Sequence, residues 1–435
     1  MHFVFVFWSL VSTLLISTAG AWDPVHALAA KGLTNRLLYD LKNFPNTGTR
    51  KCNWYNVALR REWGSLSKRE RREYIDAVLC LQKKEPKTPL SQVPGALRNE
   101  CGYKGYQPYW DWGLYAMDPL SSPIFDGSDT SMSGNGAFFA HNGTQATPYT
   151  VIPPGEGGGC VTSGPFKDMK VNLGPIAPAM DGIEANPEFF GYNPRCLRRD
   201  ISVFASSGWT KTEDIESLIT STKDVLSFQN MMQGDFEALF LGVHTGGHYT
   251  IGGDPGGDFF TSPGDPAFYL HHGQIDRVWW IWQNQDPETR LHAVAGTHTV
   301  FNDPPSANTT LEDIIELGVN AGGFPLGDLL STTDGLVPNI IVEAIAISLI
   351  GFFSGPFFAT GISVSSKLFT PETRSSAIAF IFVLGQIGGA VFPALTGVIA
   401  ARAGVHVLQP IVVALFVATG VSWVVLPGTR GLRRE

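Results

Sequence analysis

Basic residues are scarce in this chain, with 31 Lys and Arg against 39 Asp and Glu in 435 residues. No basic patch with interleaved aromatics occurs, so the chain lacks the footprint of a nucleic-acid binder. Six of the basic and three of the acidic residues fall in residues 336–435, which leaves 25 against 36 before them. Residues 1–335 therefore carry a net charge of −11. Cysteine is limited to Cys52, Cys80, Cys101, Cys160 and Cys196, which allows up to two disulfides and leaves one odd thiol, with the pairing open. The glycine-rich run 155–159 has no strand–loop–helix frame and no Gly-Lys-Ser/Thr after it, which excludes a phosphate cradle. Histidine is missing altogether between His26 and His141.

Both ends of the chain differ from its middle. Residues 1–21 contain an apolar run and then Ala19-Gly20-Ala21, which reads as a signal peptide with a small-x-small cleavage site. No Lys or Arg precedes that run, so an uncleaved anchor stays open as the alternative. Two glycosylation triplets, at Asn142 and Asn308, fit the secretory pathway. Beyond residue 335 come three apolar stretches, about 337–364, 377–400 and 407–426, each long enough to span a bilayer. Lys367 and Arg374 in the first connection, and Arg430, Arg433 and Arg434 at the end, would face the cytosol. The expected organisation is a signal peptide (1–21), a globular body (22–335) and a membrane segment of three helices (336–435). On this reading the protein is membrane-anchored; without the tail it would be secreted.

Within the body, the spacing predicts a helix over 25–41. Ser67 followed by Glu70 predicts a capping box that opens another helix, with Lys68–Arg72 on its solvated face. Residues 113–223, rich in Gly, Pro and Ser, are expected to form an irregular, disulfide-pinned lobe with short strands. Phe228, Met232, Phe236 and Phe240 recur every four residues and predict one helical face over 228–243, ending at His244-Thr-Gly-Gly-His248. A further helix is predicted over 265–283, with Asp265 as cap and Pro266 at its first position. It carries His271, His272 and, four residues after His272, Asp276. Val278, Trp279, Ile281 and Trp282 supply its apolar surface. Three imidazoles from two helix-associated segments can hold one metal ion. His26, His141, His292 and His298 have no such partners in sequence and read as structural.

The run from Asp265 to Asp276, D-P-x-F-Y-x-H-H-x-x-x-D, with H-x-x-x-H before it, resembles the copper B half of the tyrosinase family. These are the type 3 copper oxidases. The resemblance implies a mainly α helix bundle and names His244, His248 and His272 as the metal ligands. His271 would pack beside the copper, and Asp276 or a nearby backbone carbonyl would orient a ligand imidazole through its other nitrogen. In the family two coppers, each held by three histidines, bind O2 between them and oxidise phenols or o-diphenols to o-quinones. A phenolic small molecule and O2 are the partners this implies.

Arg60-Arg61-Glu62-Trp63 and Ala77-Val78-Leu79-Cys80-Leu81 resemble the entry to fungal secreted tyrosinase-like proteins. Asn193–Asp200 is another family-like landmark, read as structural. In the family, the three copper A histidines follow that entry. Here a short loop leads straight to Ala96–Tyr103, and Pro108-Tyr109-Trp110-Asp111-Trp112 resumes the pattern. The copper A segment is thus expected to be absent near 95/96, leaving an incomplete bundle with one copper site. The expected function is a tyrosinase-like oxidoreductase by descent, inactive as written. A silent, membrane-tethered copper-binding protein is the alternative, as is a chimeric gene model. The tail resembles the last three helices of a major-facilitator transporter, on Pro371–Ala377 and the helix–loop spacing. Three helices cannot form the two-lobed pathway that transport needs.

Overall fold

The computed structural model describes residues 23–43, 60–84, 97, 101–189, 191–299, 302–316 and 323–331. The chain divides into two units, 1–346 and 347–435, and all of these residues belong to the first. The expected signal peptide, Cys52, the 95/96 junction and the three apolar stretches of the tail lie outside the described residues. Among the described residues, no helix is long and apolar enough to cross a membrane.

Among the described residues, seven helices are longer than a single turn: α1 (Pro24–Asn43), α2 (Lys68–Gln82), α3 (Val203–Trp209), α4 (Thr212–Ser221), α5 (Val225–Gln233), α6 (Gly242–Ile251) and α7 (Ala267–Gln283). Helix α7 is central, with α1, α4 and α6 packed on it, and α3 and α5 packed on α6. It starts one residue later than expected, with Pro266 in the cap position and Asp265 just before it. The Asp265 carboxylate accepts from the Ala267 backbone N–H at 2.8 Å, which supports the first turn. The same carboxylate takes a two-pronged bond from Arg199, at 2.8 and 2.6 Å, with both side chains sealed from solvent. Val278, Ile281 and Trp282 are buried as predicted, but Trp280 takes the place expected for Trp279, which is only half-buried. Trp282 stacks on Phe228 with ring centroids 4.7 Å apart, tying α5 to α7. At the far end, the Asn35 side chain of α1 donates to the Asn284 and Gln285 carbonyls, both at 3.0 Å. Those carbonyls belong to the cap residue of α7 and the residue after it, so the bonds tie α1 to the chain as it leaves the helix.

Helix α2 opens with the predicted capping box, the Ser67 and Glu70 side chains each taking the other's backbone N–H. The lobe contains the expected short strands, paired in three antiparallel couples. Strand β1 (Gly136–Phe138) joins β4 (Gly158–Val161), β2 (Thr144–Thr147) joins β3 (Thr150–Ile152), and β5 (Lys170–Leu173) joins β6 (Tyr192–Cys196). Disulfides link Cys160 to Cys196 and Cys80 to Cys101. The irregular reading of 113–223 missed α3 and α4. The buried Ile215, Leu218 and Ile219 of α4 carry helical spacing that the surrounding Ser and Thr residues obscured. The single helical face expected over 228–243 also fails. Gly234, at φ +110°, ends α5, so Phe236 and Phe240 lie in a turn before α6 begins.

The landmarks on either side of the 95/96 junction meet in space. Trp63 N–H donates to the Tyr109 carbonyl at 2.9 Å, and Tyr109 N–H donates to the Arg61 carbonyl at 3.0 Å. Trp110 N–H in turn donates to the Leu270 carbonyl of α7 at 3.0 Å. Trp63, Trp110 and Trp112 are all buried there.

Candidate metal centre

Helices α6 and α7 bring four histidines together. His244 and His248 stand four residues apart on one face of α6, while His271 and His272 come from the second turn of α7. One nitrogen of each lies within 4.8 Å of the others. The three expected ligands converge through the same ring atom. His248 Nε2 is 3.1 Å from His244 Nε2 and 3.2 Å from His272 Nε2. Nitrogens on one divalent first-row ion, with bonds near ~2.0–2.1 Å and tetrahedral angles, stand roughly 3.3 Å apart. The spacing fits. A neutral imidazole nitrogen offers one proton or one lone pair, so His248 Nε2 cannot make full hydrogen bonds to both neighbours at once.

Protonation is suppressed throughout the cluster. Burial, then the neighbouring His272, lowers His244 to about 4. Burial, with His244 and His272 beside it, lowers His248 to about 3, and burial lowers His272 to about 4. All three imidazoles are therefore neutral near pH 7, the form in which they can donate to a metal.

The sequence places His271 beside these three, and it lies there, fully buried. Its ring packs against Trp112 at 5.2 Å and His248 at 4.6 Å, and neither ring nitrogen has a hydrogen-bond partner among the described residues. Burial, then the three other histidines, pushes its pKa well below the usual value. Phe268, one turn earlier on α7, stacks on His272 at 4.0 Å and fixes the plane of that ring.

Among the described residues, Asp276 makes no hydrogen bond to a histidine. Its carboxylate pairs with Arg60. The Gln233 side chain reaches His244 instead, its Oε1 lying 2.7 Å from His244 Nδ1. Gln233 is eleven residues from His244 and sits across a turn, so helical periodicity gave no sign of it. Gly247 was also missed, although glycine inside a helix carrying two histidines is a signal of close approach.

The other described histidines lie elsewhere. His26 Nε2 lies 3.7 Å from Asp111, His141 Nε2 lies 3.1 Å from Asp200, and His298 pairs with Asp313 at 2.8 Å. Among the described residues, the cluster on α6 and α7 is the one metal-competent group of histidines.

Residues 90–285 match the common central domain of tyrosinase. Tyrosinase P of Aspergillus terreus is 35% identical over 322 residues, covering 64% of this chain and 90% of that protein. The N-acetyl-6-hydroxytryptophan oxidase ivoB of Emericella nidulans is 34% identical over 341 residues, covering 66% and 92%. A solved structure of a single-residue mutant of polyphenol oxidase from Thermothelomyces thermophila superimposes with a TM-score of 0.66 at 37% identity, covering 74% of this chain and 97% of that one. The two sequence matches draw about 278 and about 287 residues from this chain, being 64% and 66% of 435. Set against 322 and 341 aligned positions, that leaves about 44 and about 54 positions in the relatives with no counterpart here.

Proposed function

This chain belongs to the tyrosinase family of copper oxidases, and from that premise we propose that it holds a single copper, the copper B of the family, in a centre incomplete for phenol oxidation. His244, His248 and His272 are the ligands on this reading, with His271 as a buried wall behind them. The observation that carries the proposal is the convergence of the His244 and His272 Nε2 atoms on that of His248, at 3.1 and 3.2 Å, in a chain without a histidine from 27 to 140. Copper bound there would supply redox chemistry that no side chain has, and imidazole suits both of its common oxidation states. The chain's own residues keep the three donors unprotonated by burial, and Phe268 and Gln233 fix two of the rings.

The family reaction, oxidation of phenols and o-diphenols to o-quinones by O2, uses two coppers. The aligned positions without a counterpart here support the loss of a segment that would hold the other three histidines. An oxygen electrode tests this. Copper-loaded protein given an o-diphenol is expected to consume no O2 above the copper-only blank. Sustained consumption that disappears in His272→Ala would refute the half-centre.

A second reading concerns origin. The abrupt change at 335/336 and the loss near 95/96 favour a chain joined from an oxidase gene and a fragment of a transporter gene, rather than a purposeful membrane tether. Transcript reads continuous across both junctions would contradict that origin. Reads that stop, or that run into a histidine-rich segment, would support it.

A further inference from the structure

We propose that Gln233 is a positioning residue for this centre, holding His244 in the tautomer that presents Nε2 to the metal. The inference rests on the copper reading above. Gln233 Oε1 lies 2.7 Å from His244 Nδ1. A carbonyl oxygen has only lone pairs to offer, so the proton sits on Nδ1 and donates to it. The lone pair of His244 is then left on Nε2, the atom 3.1 Å from His248 Nε2. Among the described residues, Gln233 is the one side chain other than histidine that hydrogen-bonds to His244, His248 or His272. A carbonyl accepting from the far nitrogen also makes the near one a stronger donor.

The local fold puts Gln233 there by two independent devices. It is the last residue of α5, and Gly234 at φ +110° then turns the chain away. The end of α5 abuts the start of α6 so closely that a Cβ on Gly242 would stand 2.4 Å from the Met232 carbonyl oxygen. The Gln233 main-chain carbonyl accepts from Thr245 Oγ1 at 2.7 Å. Main chain and side chain of one residue thus grip consecutive residues of α6, with separate consequences. The main-chain bond docks the helices and survives any substitution at 233. The side-chain bond sets the imidazole. Because Gln233 is exposed, replacing its amide strands no buried polar group.

The test is Cu(II) affinity of the full chain, measured in competition with a chelator of known affinity. Gln233→Leu is expected to bind copper about 10- to 100-fold more weakly, with the melting temperature of the metal-free protein unchanged. Gln233→Glu, which keeps an acceptor at the same reach, is expected to bind at least as tightly as the parent. Equal affinity in parent and Gln233→Leu, or equal losses in the Leu and Glu variants, would overturn the inference and leave the copper site standing. If Gln233→Leu fails to fold, the Glu variant decides alone: parental or tighter binding supports the role, and tenfold weaker binding overturns it. A parent chain that binds no copper would overturn the copper reading and this inference with it.

Discussion

A Cβ on Gly247 would stand 2.2 Å from Cε1 of His271 and 2.6 Å from its Nδ1. No real side chain tolerates that approach, so the two histidine-bearing helices meet at their present distance only because residue 247 is glycine. The contact lies between His244 and His248 on one helix and beside His272 on the other. The spacing of the three Nε2 atoms therefore depends on it.

Gly247→Ala should push α6 and α7 apart. The expected cost is about 1–3 kcal/mol of stability, the range for overpacking a filled core, together with loss of copper affinity. Urea unfolding and copper binding on the same preparation check both. A variant that keeps parental stability and affinity would show that the glycine contact does not set the site.

The depressed histidine pKa values predict a pH dependence for the metal-free protein. In the unfolded chain these histidines take up protons near 6.5, whereas in the folded cluster His244 and His272 resist until about 4 and His248 until about 3. Below 6.5 the unfolded state binds more protons, so stability falls as pH falls. The contribution is complete above 6.5 and is lost progressively down through about 4 to about 3. Thermal melts from about pH 7.5 to about pH 4 should show a decline in melting temperature that is shallower in His248→Gln. A profile equally steep in both proteins would assign the decline to other groups.

Asp265 joins the lobe to α7, since it accepts from Ala267 N–H and pairs with the sealed Arg199. Asp265→Ala leaves that guanidinium buried without its counter-ion, which costs about 3–5 kcal/mol in comparable cases. Chemical denaturation should register that loss, and copper affinity should fall with the loosened first turn of α7. A loss below about 1 kcal/mol would contradict the assigned role of the pair.

Much of α7 is legible in sequence because its signals are local. The Asp265-Pro266 start, the adjacent His271 and His272, and the apolar residues behind them fall within one short stretch. The capping box of Ser67 and Glu70 is legible for the same reason. What escapes is long-range or depends on a single backbone angle. The pairing of Asp276 with Arg60 joins residues more than two hundred positions apart, and nothing in helical spacing points to it. Gly234 breaks a four-residue apolar repeat that looks unbroken on paper, which moves the histidine pair from a helix end to a helix of its own. Gln233 becomes visible only once that break folds α5 back onto α6.

The proposed centre holds one copper where the family has two. Elemental analysis of the purified, copper-loaded chain, after removal of loosely held metal, measures the ratio directly. One copper per chain, lost on His272→Ala, is the predicted result. Two coppers per chain would mean that a second set of ligands exists, and would contradict the half-centre.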